Sequence, residues 1–71
     1  MNRAPVNSSI LTSVGYNANK RILEIEFRSG GIYKYHNIPE SIYSGLMTAD
    51  SFYQYFERHI KMADYVFKRV N

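Results

Sequence analysis

Cysteine and tryptophan are absent from this 71-residue chain, proline occurs twice and glycine four times. Without cysteine, neither a disulfide framework nor a thiolate zinc site can staple the domain. No apolar run approaches the roughly 18 residues that a membrane-spanning helix needs. The segment Met1-Asn2-Arg3-Ala4-Pro5 lacks the apolar stretch of a secretion signal. A soluble cytoplasmic protein is the expectation. The pair Gly30-Gly31 has neither the spacing nor the following helix of a phosphate-binding loop, and reads as a hairpin turn. Charge is modest: nine Lys and Arg against six Asp and Glu give a net charge of +3. That balance permits contact with nucleic acid without demanding it.

What the chain does have is aromatic side chains, seven Tyr and four Phe. Tyrosine buries a ring while keeping its hydroxyl at a wet rim, which suits a thin domain with little interior. At this length a single core contributes only about 3–5 kcal/mol. The domain must therefore pack well or gain a partner.

Residues 1–7 show no period, and Pro5 interrupts any early strand, so they read as a flexible tail preceding one domain over residues 8–70. Ile10 to Tyr16 alternates, with Ile10, Thr12, Val14 and Tyr16 on one face. Asn17-Ala18-Asn19-Lys20 supplies turn chemistry. Arg21 to Arg28 alternates more cleanly, with Leu23, Ile25 and Phe27 opposed to Glu24, Glu26 and Arg28. A three-residue loop Ser29-Gly30-Gly31 pairs Phe27 with Tyr33, Ile25 with Tyr35, Glu26 with Lys34 and Glu24 with His36. It sends Tyr33 and Tyr35 to the core face. Leu11, Ile22 and Ile32 fall on the solvent face, where they are either ordinary surface or a patch for self-association.

After Pro39, the residues Ile42, Tyr43, Leu46 and Met47 recur at helical spacing, with proline at the first helical position. A second helix opens at Asp50 or Ser51, where Ser51-x-x-Gln54 matches a capping box, and carries Phe52, Tyr55, Phe56, His59, Ile60 and Ala63 as its apolar stripe. Residues 64–70 fit either a continued helix or an extended tail. The predicted architecture is α+β: a three-stranded antiparallel meander followed by two α-helices packed on one face.

Catalysis finds little support. None of the serines or threonines stands in a nucleophile-elbow sequence or at a spacing that recommends a base. His36 and His59 are the only histidines. They read as surface or packing residues, and no metal-ligand spacing is present. Glu24 and Glu26 lie on an exposed strand face and do not form an acid–base pair. No enzyme activity, metal or cofactor is expected.

The run Gly30-Gly31-Ile32-Tyr33-Lys34-Tyr35-His36-Asn37-Ile38-Pro39 carries the most information. Together with Ser8-Ser9-Ile10, Val14-Gly15-Tyr16, Tyr55-Phe56 and Ile60-Lys61, it resembles the KTSC domain, a small module also found at the C-terminus of some lysyl-tRNA synthetases. The resemblance spans about Val6 to Val70. It implies that Tyr33 and Tyr35 are the family's central Tyr-x-Tyr, favours an extended ending, and implies an RNA-binding role. Two departures stand out: Tyr53 occupies a position that is commonly glycine in the family, and the tail carries no proline.

Two functional readings follow. In the first, the protein binds single-stranded RNA or tRNA through Lys20, Arg21, Arg28, Lys34, Arg58, Lys61, Lys68 and Arg69, with Tyr16, Tyr53 and Tyr65 free to stack on bases. In the second, it is a protein-interaction or adaptor module that self-associates through a sheet edge.

Overall fold

The computed structural model describes residues 3–71. Five antiparallel strands form one sheet in chain order: β1 (Ala4–Pro5), β2 (Leu11–Asn17), β3 (Ile22–Phe27), β4 (Ile32–Tyr35) and β5 (Phe67–Arg69). Two helices, α1 (Glu40–Thr48) and α2 (Phe52–Phe56), lie between β4 and β5 in the chain, and α2 runs on as a π-helical turn over Glu57–Lys61. The fold is therefore α+β as expected, but its sheet has five strands where the sequence reads three.

Both additional strands come from segments without a usable period. Ala4 and Pro5 pair with Val14 and Ser13 in the stretch expected to be a tail, and the Val6 amide donates to the Thr12 carbonyl. Pro5 is tolerated because β1 is an edge strand. Met1 and Asn2, also assigned to that tail, lie outside the described residues. At the other edge, Asp64 takes a positive φ of 61° after the π turn, and Phe67 and Lys68 then pair with Tyr35 and Lys34. The ending is extended.

The β3–β4 hairpin differs from expectation by one residue in its loop. Gly30 takes φ 106°, and the Phe27 amide donates to the Gly31 carbonyl at 2.9 Å, so the three loop residues are Arg28, Ser29 and Gly30. The pairs are accordingly Ile25 with Tyr33, Leu23 with Tyr35 and Glu24 with Lys34. Glu26 faces Ile32, and His36 lies beyond the ladder, its amide donating to the Val66 carbonyl. A shift of two in register leaves every side chain on its expected face, and Tyr33 and Tyr35 remain on the core side.

In β2 the expected alternation breaks. The register with β3 shifts between Leu11 and Ser13, a bulge that sets Leu11 opposite Phe27 and Val14 opposite Ile25. Leu11 is thereby fully buried and Ile10, expected inside, is exposed. Leu11 thus leaves the predicted solvent-facing apolar set, of which Ile22 and Ile32 remain half-buried.

Helix α1 begins one residue later than expected, with Pro39 as its extended N-cap and Glu40 favourably placed in the first turn. Helix α2 opens as its sequence signals: the Ser51 hydroxyl accepts from the Gln54 amide at 3.2 Å. One core cluster joins Val14, Leu23, Ile25 and Tyr35 of the sheet to Leu46, Phe56 and Ile60. His59 and Ala63, expected on the apolar stripe, are exposed instead. No helix among the described residues is long and apolar enough to cross a membrane.

Candidate functional site

Beside the β3–β4 hairpin, β5 and the α2–π segment border a cleft of about 410 Å³. Its walls are mostly rings: Phe27, Tyr33 and Tyr35 from the sheet, Tyr53 and Phe56 from α2, then Tyr65 and Phe67 from the returning chain. Strand alternation puts the sheet's three rings on one side. Phe56 meets Phe27 and Tyr35 edge-on, at centroid distances of 5.5 Å each. Phe67 lies 5.3 Å from Tyr35 and 5.9 Å from Tyr33, while remaining 57% exposed at the mouth. Lys61 is the one charged residue in the lining, which Ser29 also joins.

The tyrosines differ in their electrostatics. Burial, and secondarily the neighbouring Tyr33 phenol, pushes the Tyr35 pKa up to about 12. A hydrogen bond from the Tyr53 hydroxyl to Glu57 Oε2, at 2.8 Å, raises the Tyr53 pKa by stabilising its protonated form. Both phenols are donors at neutral pH.

The structure disperses the predicted basic patch. Lys20 and Arg21 are exposed at the β2–β3 turn, the end of the sheet away from the cleft. Lys34 lies on the outer face, 3.9 Å from Glu24, which also receives Arg3 at 3.3 Å; Lys68 pairs opposite Lys34 on that face. Arg28 sits in the hairpin loop next to Ser29, and its Nε donates to the Ser8 carbonyl at 2.7 Å. Arg69 pairs opposite Tyr33 on the cleft side, with its Nε donating to the Asn71 side chain.

Arg58 and Lys61, expected one helical turn apart on a shared face, are separated by the π turn. Its Met62 amide bonds to the Glu57 carbonyl, five residues back, so three-residue spacing no longer aligns side chains. Lys61 turns to the aromatic cleft, while Arg58 lines a smaller one of about 200 Å³ with His59, Asp50 and Tyr55.

Of the three tyrosines expected to be free for stacking, Tyr53 and Tyr65 line the cleft and Tyr16 does not. Tyr16 is stacked on Tyr43 of α1 at 4.6 Å and donates its hydroxyl to the Ile38 carbonyl. Sequence reasoning also missed Phe27 and Phe67 as cleft residues. The available signal for Phe67 was its alternation with Tyr65, which a helical reading of the same residues obscured. Among the described residues, no group of three or more His, Asp or Glu stands together in a way that holds a metal ion.

Comparison with known proteins puts this arrangement in a family. Residues 7–65 match the family model of the KTSC domain. An uncharacterised protein of Stutzerimonas stutzeri is 37% identical over 71 residues, the whole of both chains. A protein of Tsukamurella paurometabola is 34% identical over 47 residues, 66% of this chain and 70% of its own. The crystal structure of a KTSC domain protein from Yersinia pestis matches with a TM-score of 0.94 at 36% identity, covering 99% of this chain and 97% of that one. The family match ends before β5, whereas the structural match includes nearly the whole chain. From the sequence match and the shared fold together, the chain belongs to the KTSC domain family.

Proposed function

We propose that the protein is a non-catalytic binding module for single-stranded RNA, either free or as the unpaired part of a tRNA, acting in the cytoplasm. The observation that carries this reading is the cleft itself: seven aromatic residues and Lys61 around one opening, with Phe67 exposed at its mouth. Base stacking on such rings contributes about 1–3 kcal/mol per base and tolerates any sequence. Arg28 and Arg69, adjacent to the cleft, supply further charge for the phosphate backbone. Helices packed against one face of the sheet leave that opening between sheet and α2.

The test is a titration of isotopically labelled protein with single-stranded RNA and with tRNA at low and moderate salt. Localised, salt-sensitive amide shifts at Lys61, Tyr53, Tyr65 and Phe67 are expected, with Lys61→Glu weakening them and Arg58→Glu serving as a control from the other cleft. No shifts at low salt overturn the reading.

One observation favours a second reading, a protein-interaction module. Met62, Val66, Phe67 and Val70 are exposed apolar residues in the C-terminal segment, around an edge strand. Self-association through β5 requires a concentration-dependent mass in sedimentation, and a monomer at high concentration counts against it.

A further inference from the structure

Tyr16 and Tyr53 use their hydroxyls inside the chain, as donors to the Ile38 carbonyl and the Glu57 carboxylate. Tyr35 is only 6% exposed and lines the cleft; its hydroxyl makes no hydrogen bond within the described residues and reaches solvent at the cleft wall. A hydroxyl that meets water at the wall of a cleft, with no bond inside the chain to give up, can exchange that water for an acceptor on a ligand. Protonated at neutral pH, that hydroxyl has a donor to offer a ligand.

The chemistry of the walls narrows the ligand. Flat rings match a flat ring, a protonated phenol matches an acceptor on its edge, and the Lys61 ammonium matches an anion. A cationic guest, which a cage of tyrosines otherwise suits, is opposed by Lys61. The volume of about 410 Å³ lies in the lower part of the range for small-molecule sites, roughly 300–1,000 Å³.

We propose that the cleft takes one unpaired nucleotide by insertion: its base against Tyr53, Tyr65 and Phe67, an acceptor on the base receiving the Tyr35 hydroxyl, and its phosphate at Lys61. The inference rests on the nucleic-acid reading above and adds that recognition is by a single inserted base, with Tyr35 as the residue that reads the base edge. The nucleotide is either one unit of an RNA strand or a free nucleotide, and the two sources are separable by experiment.

Uridine and adenosine 5′-monophosphates and the matching pentanucleotides are titrated into the full chain, followed by amide shifts. The parent is compared with Tyr35→Phe, Phe67→Ala and Lys61→Gln, and each variant is checked by thermal melting. Tyr35→Phe keeps the buried ring and removes one donor, so it is expected to melt like the parent and bind about fivefold more weakly. Phe67→Ala, already exposed, is expected to bind about tenfold more weakly. Lys61→Gln is expected to lower the slope of log affinity against log salt by about 1.

Pentanucleotide binding that is unchanged in both aromatic variants overturns the insertion and leaves the RNA reading standing. Monophosphate binding at the cleft, with no gain for the pentanucleotide, upholds the insertion and overturns the RNA reading. No binding of either at low salt overturns both.

Discussion

Tyr16 and Tyr35 lie on the same face of one sheet and meet opposite fates. At the α1 end, Tyr16 stacks on Tyr43 and its hydroxyl is bound to the Ile38 carbonyl, which holds the entry to α1 against the sheet. At the α2 end, Tyr35 packs against Phe56 and Phe67 but faces a cleft, where its hydroxyl reaches solvent. The first region is closed by its own side chains. The second is left open by them, and there the Tyr35 hydroxyl meets solvent instead of a carbonyl of the chain. Rings of the same type thus close one end of the sheet and line an opening at the other.

The largest effect expected is on a residue at the base of the open region. Phe56 is 2% exposed and touches Phe27, Tyr35 and Tyr53. Phe56→Ala is expected to cost about 3–5 kcal/mol, close to the whole stability of a domain this size, so the variant should lack a cooperative thermal transition. A well-folded variant would mean that the open region contributes little to the core.

A second effect appears at high pH. The Tyr35 phenol titrates at about 12 in the folded chain against 10.0 when unperturbed. Between those values the unfolded chain has lost a proton that the folded chain retains, so stability is intact below pH 10 and falls as pH approaches 12. The expected fall is below about 2–3 kcal/mol once solvent screening is allowed for, read from chemical denaturation at stepped pH, and Tyr35→Phe should reduce it without abolishing it, because the Tyr16 and Tyr53 phenols are raised as well.

The smallest effect is the most direct test of the contrast. At neutral pH, Tyr16→Phe is expected to lower stability by about 1 kcal/mol, because it leaves the Ile38 carbonyl without its donor. Tyr35→Phe should leave stability unchanged or slightly raised. Equal losses in the two variants would show that the Tyr35 hydroxyl is satisfied within the chain.

Much of the fold was legible because alternation is robust. The β3–β4 register was off by two, yet the faces were right, since parity survives an even shift. The position of the loop was not legible, because either glycine can take a positive φ and only Gly30 does. Leu11 was misplaced because a bulge reverses parity, and nothing in Leu11-Thr12-Ser13 announces one. A strand of two residues has no period to detect, so β1 was invisible, whereas the alternation of Tyr65 and Phe67 that marks β5 competed with a helical spacing of the same segment. In the candidate site, Tyr53, Tyr65 and Lys61 were found by their residue type, whereas the separation of Arg58 from Lys61 depends on a π turn that the α-helical period does not encode.

The side chain of Asn71 closes the structure in a way that affects the order of events. Its Oδ1 accepts from the Ile32 amide at 2.9 Å and its Nδ2 donates to the Gly30 carbonyl at 2.7 Å, across 39 and 41 residues of chain. Contacts so distant in sequence must wait for the intervening chain to be made. Until Phe67–Arg69 pair with β4, the first four strands and both helices can be in place while the cleft lacks Phe67. Unpairing of β5 would remove Phe67 from the mouth and leave the buried core, none of whose members lies beyond Ile60, in place.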